Sequence, residues 1–224
     1  MEVAERLDAV EREVDKGDCD LKKLGFWKLV AEIKRDPELS QEFAEQVGRI
    51  ERKAFERKVW FKVNLWFGHA TEIAGTVLGI VLIWLGFVHT AEFMRSMSLV
   101  LASVILSASV HPLAHYAVGR LYGINFLYYF PDGPAKIEPT LKIDYASYLR
   151  AHPKHRAAMH LAGPIATVSA ALVCLIVGLT ADIAQWAKIL LLLYFLFMLA
   201  TDIFLSPKAG DIKRVKRELN AQNS

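Results

Sequence analysis

Cysteine is scarce in this chain, with 2 among 224 residues. Cys19 lies in a charged segment and Cys174 in an apolar one, so we expect no disulfide, and no C-x-x-C pair marks a thiolate metal site. The first 20 residues alternate acid and base without an apolar core, unlike a secretory signal peptide. A glycine-rich phosphate loop and internal repeats are also missing, so nucleotide chemistry is not expected.

Long apolar runs fill the last two thirds of the sequence instead. Each provides about the 20 residues needed to cross a hydrocarbon core about 30 Å thick. Runs such as Ile73–Val88 carry no charge and no alternation, which excludes barrel strands and favours helices. The sequence therefore predicts four transmembrane helices in a lipid bilayer, at residues 71–91, 97–118, 157–181 and 186–206.

The basic residues predict the orientation of these helices. They crowd the segment before the first span, the loop between the second and third, and the tail after the fourth, whereas the other two connections contribute only Arg95 and Lys188. Because Lys and Arg accumulate on cytoplasmic flanks, both termini and the middle loop are expected in the cytoplasm, with the chain in a plasma (inner) membrane. The basic residues thus lie at the membrane flanks rather than on a nucleic-acid-binding face, so nucleic-acid binding is not expected.

Residues 1–62 are predicted to form a cytoplasmic helical region, and residues 63–224 a membrane domain with a basic tail. Apolar residues recur at helical spacing in two stretches of the first region, and Asp36-Pro37 is typical of a helix start. The stretches contain Val3, Leu7, Val10 and Val14, then Leu39, Phe43, Val47 and Ile50. In the middle loop, Ile124–Phe130 predicts a short strand paired with Thr140–Tyr148. The fold class expected is an all-α polytopic membrane protein with an N-terminal helical hairpin and a short β-element.

Titratable side chains within the spans are costly and therefore candidates for function. His111 and His115 stand at i and i+4, the spacing that lets two imidazoles of one helix bind a single tetrahedral Zn²⁺. Glu72, His160 and Asp202 approach the same layer of the membrane from the first, third and fourth spans. The alternative is a structural histidine pair, hydrogen-bonded inside the bundle. His69 and His160 are nearer the span ends, where we expect them to extend to the lipid headgroups.

Three segments together resemble the site-2 protease family of intramembrane zinc metallopeptidases. Ser109–Arg120, S-V-H-P-L-A-H-Y-A-V-G-R, resembles the helix that carries the family's H-E-x-x-H sequence. His160–Thr167, H-L-A-G-P-I-A-T, is similar to the A-G-P-x-x-N stretch that opens its next core helix. Asp202–Asp211 resembles the family's N-x-x-P-x-x-P-L-D-G segment. The resemblance covers residues 97–215 and does not extend to the N-terminal region.

The resemblance implies a site-2-protease-like core with Zn²⁺ held by His111, His115 and Asp211. It implies peptide hydrolysis as the activity and transmembrane segments of other proteins as partners. Asp202 stays open as an alternative to Asp211, because helical arithmetic places it at a better depth in the membrane. The oligomeric state is left undetermined.

The family's general base is replaced in this sequence. The Glu of H-E-x-x-H takes a proton from zinc-bound water, and its position here is Pro112, which can neither accept a proton nor donate an N–H. Glu72 is hypothesised as a surrogate base from the first span. The sequence thus predicts a metal-binding pseudoprotease or a divergent metallohydrolase. The alternative is a non-catalytic membrane scaffold with structural His and Asp residues.

Overall fold

The computed structural model of the chain describes residues 2–132, 138–206 and 210–220. This part is mostly helical and contains one small sheet. Its first elements in chain order are α1 Val3–Lys16, α2 Phe26–Ile33, α3 Pro37–Glu42, α4 Ala44–Glu56, β1 Val63–Asn64 and α5 Leu65–Val88. They are followed by α6 Glu92–Leu121, β2 Phe126–Asp132, β3 Glu138–Ile143, α7 Tyr145–Arg150, α8 Pro153–Thr180 and α9 Gln185–Ala200. A π-helix, Thr201–Leu205, continues α9, and α10 comprises Asp211–Asn220.

The chain divides into two compact units. The first contains Met1–Leu65, Gly119–Arg156 and Arg217–Ser224, and the second contains Trp66–Val118 and Ala157–Lys216.

The first unit has an apolar core formed mainly by α1, α2 and α4. The core residues recur at helical spacing and include Leu7, Val10, Val14, Phe26, Leu29, Ile33, Val47 and Ile50. The helix start predicted at Asp36 is confirmed, because its carboxylate accepts hydrogen bonds from the N–H groups of Glu38 and Leu39. The N-terminal region has four helices rather than a simple hairpin, since the backbone turns at Phe43 and separates α3 from α4.

The sheet of the first unit is antiparallel with strand order β1-β2-β3. Phe126 pairs with Ile143 and Asp132 with Glu138, which confirms the predicted strand pairing of the middle loop. The second strand was expected to run to Tyr148, and that part of the prediction is wrong. Asp144 instead caps α7 by accepting a hydrogen bond from the N–H of Ser147 at 3.1 Å, so the chain turns into a helix there.

A buried ion cluster of Lys34, Arg156 and Glu218 also lies in the first unit. The Nζ of Lys34 is 2.7 Å from Oε1 of Glu218, and the Nε of Arg156 is 2.7 Å from its Oε2. All three side chains are almost completely shielded from solvent. Each charge therefore depends on its partners, because an unpaired buried charge is strongly destabilising.

Among the described residues, four helices are long and apolar enough to span a membrane, and most of their length lies in the second unit. They are Leu65–Val88, Glu92–Leu121, Pro153–Thr180 and Gln185–Phe204. The four predicted spans are thus confirmed as helices, with ends that differ by a few residues. Gly79 and Gly86 of α5 meet the side chains of Leu106 and Leu99 on α6, where a Cβ would lie within 2.4 and 2.7 Å of a leucine carbon. Such small residues let two membrane helices approach closely. The two cysteines are free, as expected.

Candidate metal centre

Three polar side chains of the second unit point their ligand atoms at one place. The Nε2 atoms of His111 and His115, on consecutive turns of α6, are 3.1 Å apart. The Oδ2 of Asp211, the first residue of α10, is 3.5 Å from Nε2 of His111 and 3.3 Å from Nε2 of His115. Among the described residues, this is the group of three acidic, histidine or cysteine ligands found to converge closely enough to hold a metal.

The triangle of these three atoms has the size of one face of a tetrahedral metal site. Zinc binds nitrogen and oxygen at about 2.0–2.2 Å, so two of its ligands in a tetrahedral site lie about 3.3–3.6 Å apart. The three separations of 3.1, 3.3 and 3.5 Å lie within or close to that range. A cation can therefore lie about 2 Å from all three atoms without any ligand having to move appreciably.

Hydrogen bonds at the other ring nitrogens determine where the lone pairs point. The Nδ1 of His115 is 2.7 Å from the carbonyl oxygen of Met159, which can only accept, so this Nδ1 carries the proton. The Nδ1 of His111 is 2.8 Å from Oγ1 of Thr167, and this hydroxyl lies 3.5 Å from the carbonyl oxygen of Ser107, an arrangement in which it can donate to the carbonyl and accept from the ring. In the neutral imidazoles both Nε2 atoms then carry lone pairs.

Two nitrogen lone pairs and a carboxylate oxygen consequently face one another. Such a convergence of acceptors is repulsive unless a cation or an additional proton lies between them. Each metal-binding histidine typically donates its second N–H to a carbonyl, carboxylate or hydroxyl in this manner, which fixes the ring orientation. The arrangement is thus suited to a divalent metal and has the outer hydrogen bonds that such sites require.

Helix α8 places a glycine against the two ligand imidazoles. Met159, Gly163 and Thr167 recur every four residues and so lie on one side of α8. A Cβ on Gly163 would be 2.3 Å from Nε2 of His115 and 2.8 Å from Cε1 of His111. The glycine therefore leaves the space that the two imidazoles occupy.

Asp211 reaches the centre from the start of α10. The Oγ of Ser206 accepts a hydrogen bond from the N–H of Ile212 at 3.0 Å, and the N–H of Gly210 donates to the Ser206 carbonyl at 2.9 Å. Residues 207–209 of the segment that resembles the protease family lie outside the described residues. Burial raises the pKa of the Asp211 carboxyl, but in the metal-free chain a ring N–H donated by His111 or His115, which requires the additional proton at their Nε2 atoms, outweighs burial and holds the pKa well below its ordinary value. The carboxylate is thus ionised at neutral pH, in the form that binds a metal.

The structure does not bring the other two predicted acidic residues into this group. Asp202 lies half-buried on the π-helix, and its ligand atoms are not among the three that converge. Glu72 is buried on α5, whose Gly75 approaches Ser109 of α6. Ser109 and His111 are two residues apart on one helix and point to nearly opposite sides. The Gly75 contact is therefore made on the face of α6 away from the His111 imidazole.

Several contributors to the centre were not anticipated from the sequence. In the sequence, Gly163 stood out only as part of the A-G-P stretch. A backbone carbonyl such as that of Met159 has no signature in the pattern of side chains. His69 and His160 were expected at the headgroups, but they are only 9% and 3% exposed. That expectation is wrong because each ring packs against another aromatic ring of its unit, His69 against Tyr116 and His160 against His115.

Comparison of the chain with protein-family models, with curated proteins and with solved structures gave no match.

Proposed function

We propose that this chain is a membrane-embedded zinc-binding protein, similar to site-2-type intramembrane metalloproteases, with metal held by His111, His115 and Asp211. The observation that supports this most directly is the triangle of Nε2, Nε2 and Oδ2 atoms with separations of 3.1, 3.3 and 3.5 Å. Imidazole and carboxylate ligands at these distances suit a small tetrahedral cation such as zinc.

Three protein ligands leave a fourth position for water or substrate, which is typical of catalytic rather than structural zinc sites. The His111 side chain is 36% exposed, whereas His115 and Asp211 are 15% exposed, so the more open side of the triangle is at His111. A bound zinc ion would supply Lewis acidity and lower the pKa of a coordinated water to about 7.

The chain has no general base at the position where the H-E-x-x-H sequence places its Glu. Pro112 is buried between the two ligand histidines and offers no carboxylate. Positioned proton transfer typically contributes 10²- to 10⁴-fold to a rate. We therefore propose a pseudoprotease that binds a transmembrane segment, or a divergent hydrolase with weak peptide cleavage. Glu72→Gln tests the surrogate-base hypothesis, because any hydrolysis of a membrane peptide that survives this substitution excludes Glu72 as the base.

Elemental analysis of the detergent-purified full chain tests the metal centre. The wild type is expected to carry about one zinc per chain, lost in the His111→Ala/His115→Ala double variant and weakened in Asp211→Asn. Asp202→Asn is the matched control, since its carboxylate is outside the ligand triangle, and should retain the metal. Absence of zinc after supplementation would contradict the proposal and favour a non-catalytic scaffold. Equal zinc loss in both aspartate variants would contradict the ligand assignment.

The same proposal includes an orientation with both termini in the cytoplasm of a plasma or inner membrane, based on the basic flanks of the spans. Cys19 offers a direct test because it is free and partly exposed in the first unit, while Cys174 is buried. A membrane-impermeant maleimide should label Cys19 only after cells are lysed. Labelling of intact cells would show that the first unit is outside.

A further inference from the structure

The two carboxylate oxygens of Asp211 have different surroundings. Oδ2 faces the Nε2 atoms of the two ligand imidazoles. Oδ1 faces away from them, 3.2 Å from Nη1 of Arg214 and 3.6 Å from Nδ1 of His160. One oxygen is thus directed to the other two ligand atoms, and the other lies beside the side chains of Arg214 and His160.

Of the two groups at Oδ1, His160 is the one fixed by its surroundings. Its side chain is 4% exposed, whereas the Arg214 side chain is 45% exposed and free to exchange its contact for water. His160 lies on α8, one turn before Gly163, so the helix that makes room for the ligand imidazoles also carries this third ring. Its nitrogens are not among the converging ligand atoms, which argues against a role as a metal ligand.

A carboxylate with both oxygens free can bind a cation through either oxygen or through both. An N–H group at Oδ1 removes that freedom, because it engages one oxygen and leaves the other as a single directed ligand. At 3.6 Å the His160 contact is longer than an ordinary hydrogen bond, so it acts mainly as an electrostatic and steric guide until the carboxylate is drawn into place.

We infer that His160 is a positioning residue of the metal centre, whose Nδ1–H holds Oδ1 of Asp211 so that only Oδ2 is presented beside the two imidazoles. This inference rests on the proposed metal binding. Loss of such an outer partner typically lowers metal affinity by about 10- to 100-fold without removing the site.

Titration of Co²⁺ into the metal-free full chain in detergent tests this role, with visible absorption as the readout. His160→Ala is expected to weaken Co²⁺ binding about 10- to 100-fold and to change the d–d bands as the freed carboxylate adopts a second binding mode. His160→Asn places an amide N–H close to the position of Nδ1 and should recover most of the affinity and the wild-type spectrum. His155→Ala, a change five residues earlier on α8, is the matched control and should leave both unchanged.

Each outcome distinguishes this inference from the proposed function. A wild type that binds no Co²⁺ overturns both. Wild-type affinity and spectrum in His160→Ala overturn the positioning role alone, as does an equal loss in His160→Ala and His160→Asn. If the alanine variant does not fold, the asparagine variant decides, because a wild-type spectrum supports an N–H donor at Oδ1 and an altered one contradicts it.

Discussion

A single methyl group on α8 should strongly weaken the proposed metal binding. In Gly163→Ala the new Cβ would lie 2.3 Å from Nε2 and 2.7 Å from Cε1 of His115. Carbon and nitrogen atoms that are not bonded settle at about 3.5 Å, so the ring or the helix must move by about 1 Å. Because a Zn–N bond is only about 2.0–2.1 Å long, a displacement of that size takes His115 out of coordination.

The expected loss of zinc affinity is at least that of a missing outer-shell partner, about 10- to 100-fold, and should approach the loss in His115→Ala. The stability of helix α8 should not decrease, because Ala is preferred to Gly in a helix interior by about 1 kcal/mol. Competition with a chromophoric chelator measures the affinity, and circular dichroism reports the fold.

Gly178→Ala provides the matched control on the same helix. Its added Cβ would be 2.5 Å from Cδ1 of Leu191, the end of a flexible apolar side chain that can shift without affecting any ligand. We expect this variant to bind zinc as the wild type does. Wild-type zinc affinity in Gly163→Ala would refute the view that this glycine makes room for the ligand imidazoles.

The remaining predictions concern an outer hydrogen bond and the buried ion cluster. Thr167→Val leaves Nδ1–H of His111 without its acceptor and should weaken zinc binding about 10- to 100-fold, whereas Thr167→Ser keeps the hydroxyl and should restore it. Glu218→Gln should destabilise the first unit by about 3–5 kcal/mol, measured by amide hydrogen exchange in α2, while Glu45→Gln should cost at most about 1 kcal/mol because its ion pair is exposed. Burial raises the pKa of Glu218, but the two cations outweigh it and hold the pKa at about 2, so the wild type should lose this stabilisation as pH falls from about 4.5 towards 2. Amide exchange in α2 of Glu218→Gln that is as slow as in the wild type would contradict the stability prediction. Unchanged zinc binding in Thr167→Val would contradict the prediction for the outer hydrogen bond.

Periodicity and composition were sufficient to predict the helices of the second unit and the pairing of His111 with His115. Both follow from local rules, since an apolar run sets the length of a span and the i, i+4 spacing sets the face of a helix. The strand ending at Ile143 was less predictable, because Thr140–Tyr148 is apolar and aromatic enough to be extended throughout. The Asp144 cap ends the strand earlier, and a cap is visible only once the following backbone is known to be helical.

The partners of the ligand residues were beyond the reach of the sequence alone. Gly163, Thr167 and His160 act because α8 packs against α6, and no spacing within one helix reveals which residue of another helix it meets. The burial of His160 shows this most clearly. Its position near the start of a span predicts exposure to headgroups, but tertiary packing encloses the ring beside His115 and Asp211.

Depth arithmetic for the two aspartates assumed that the last span continues as a regular α-helix. The structure has a π-helix at Thr201–Leu205, followed by a new helix that begins at Asp211. A π-helix adds a residue to each turn and changes the direction in which Asp202 points. Asp211, at a helix start where the dipole favours negative charge, instead carries the carboxylate that faces the imidazoles.

Pro112 separates two properties that the H-E-x-x-H arrangement normally joins. A proline inside a helix loses one backbone hydrogen bond and costs about 3 kcal/mol, yet α6 runs unbroken from Glu92 to Leu121. The ring orientations are fixed from α8, by Thr167 and by the Met159 carbonyl, rather than by the residue that follows His111. Pro112 therefore offers no proton acceptor, and the ligand triangle forms with proline at this position. On the proposed function, metal binding and hydrolysis are separable in this chain, and bound zinc would by itself say nothing about peptide cleavage.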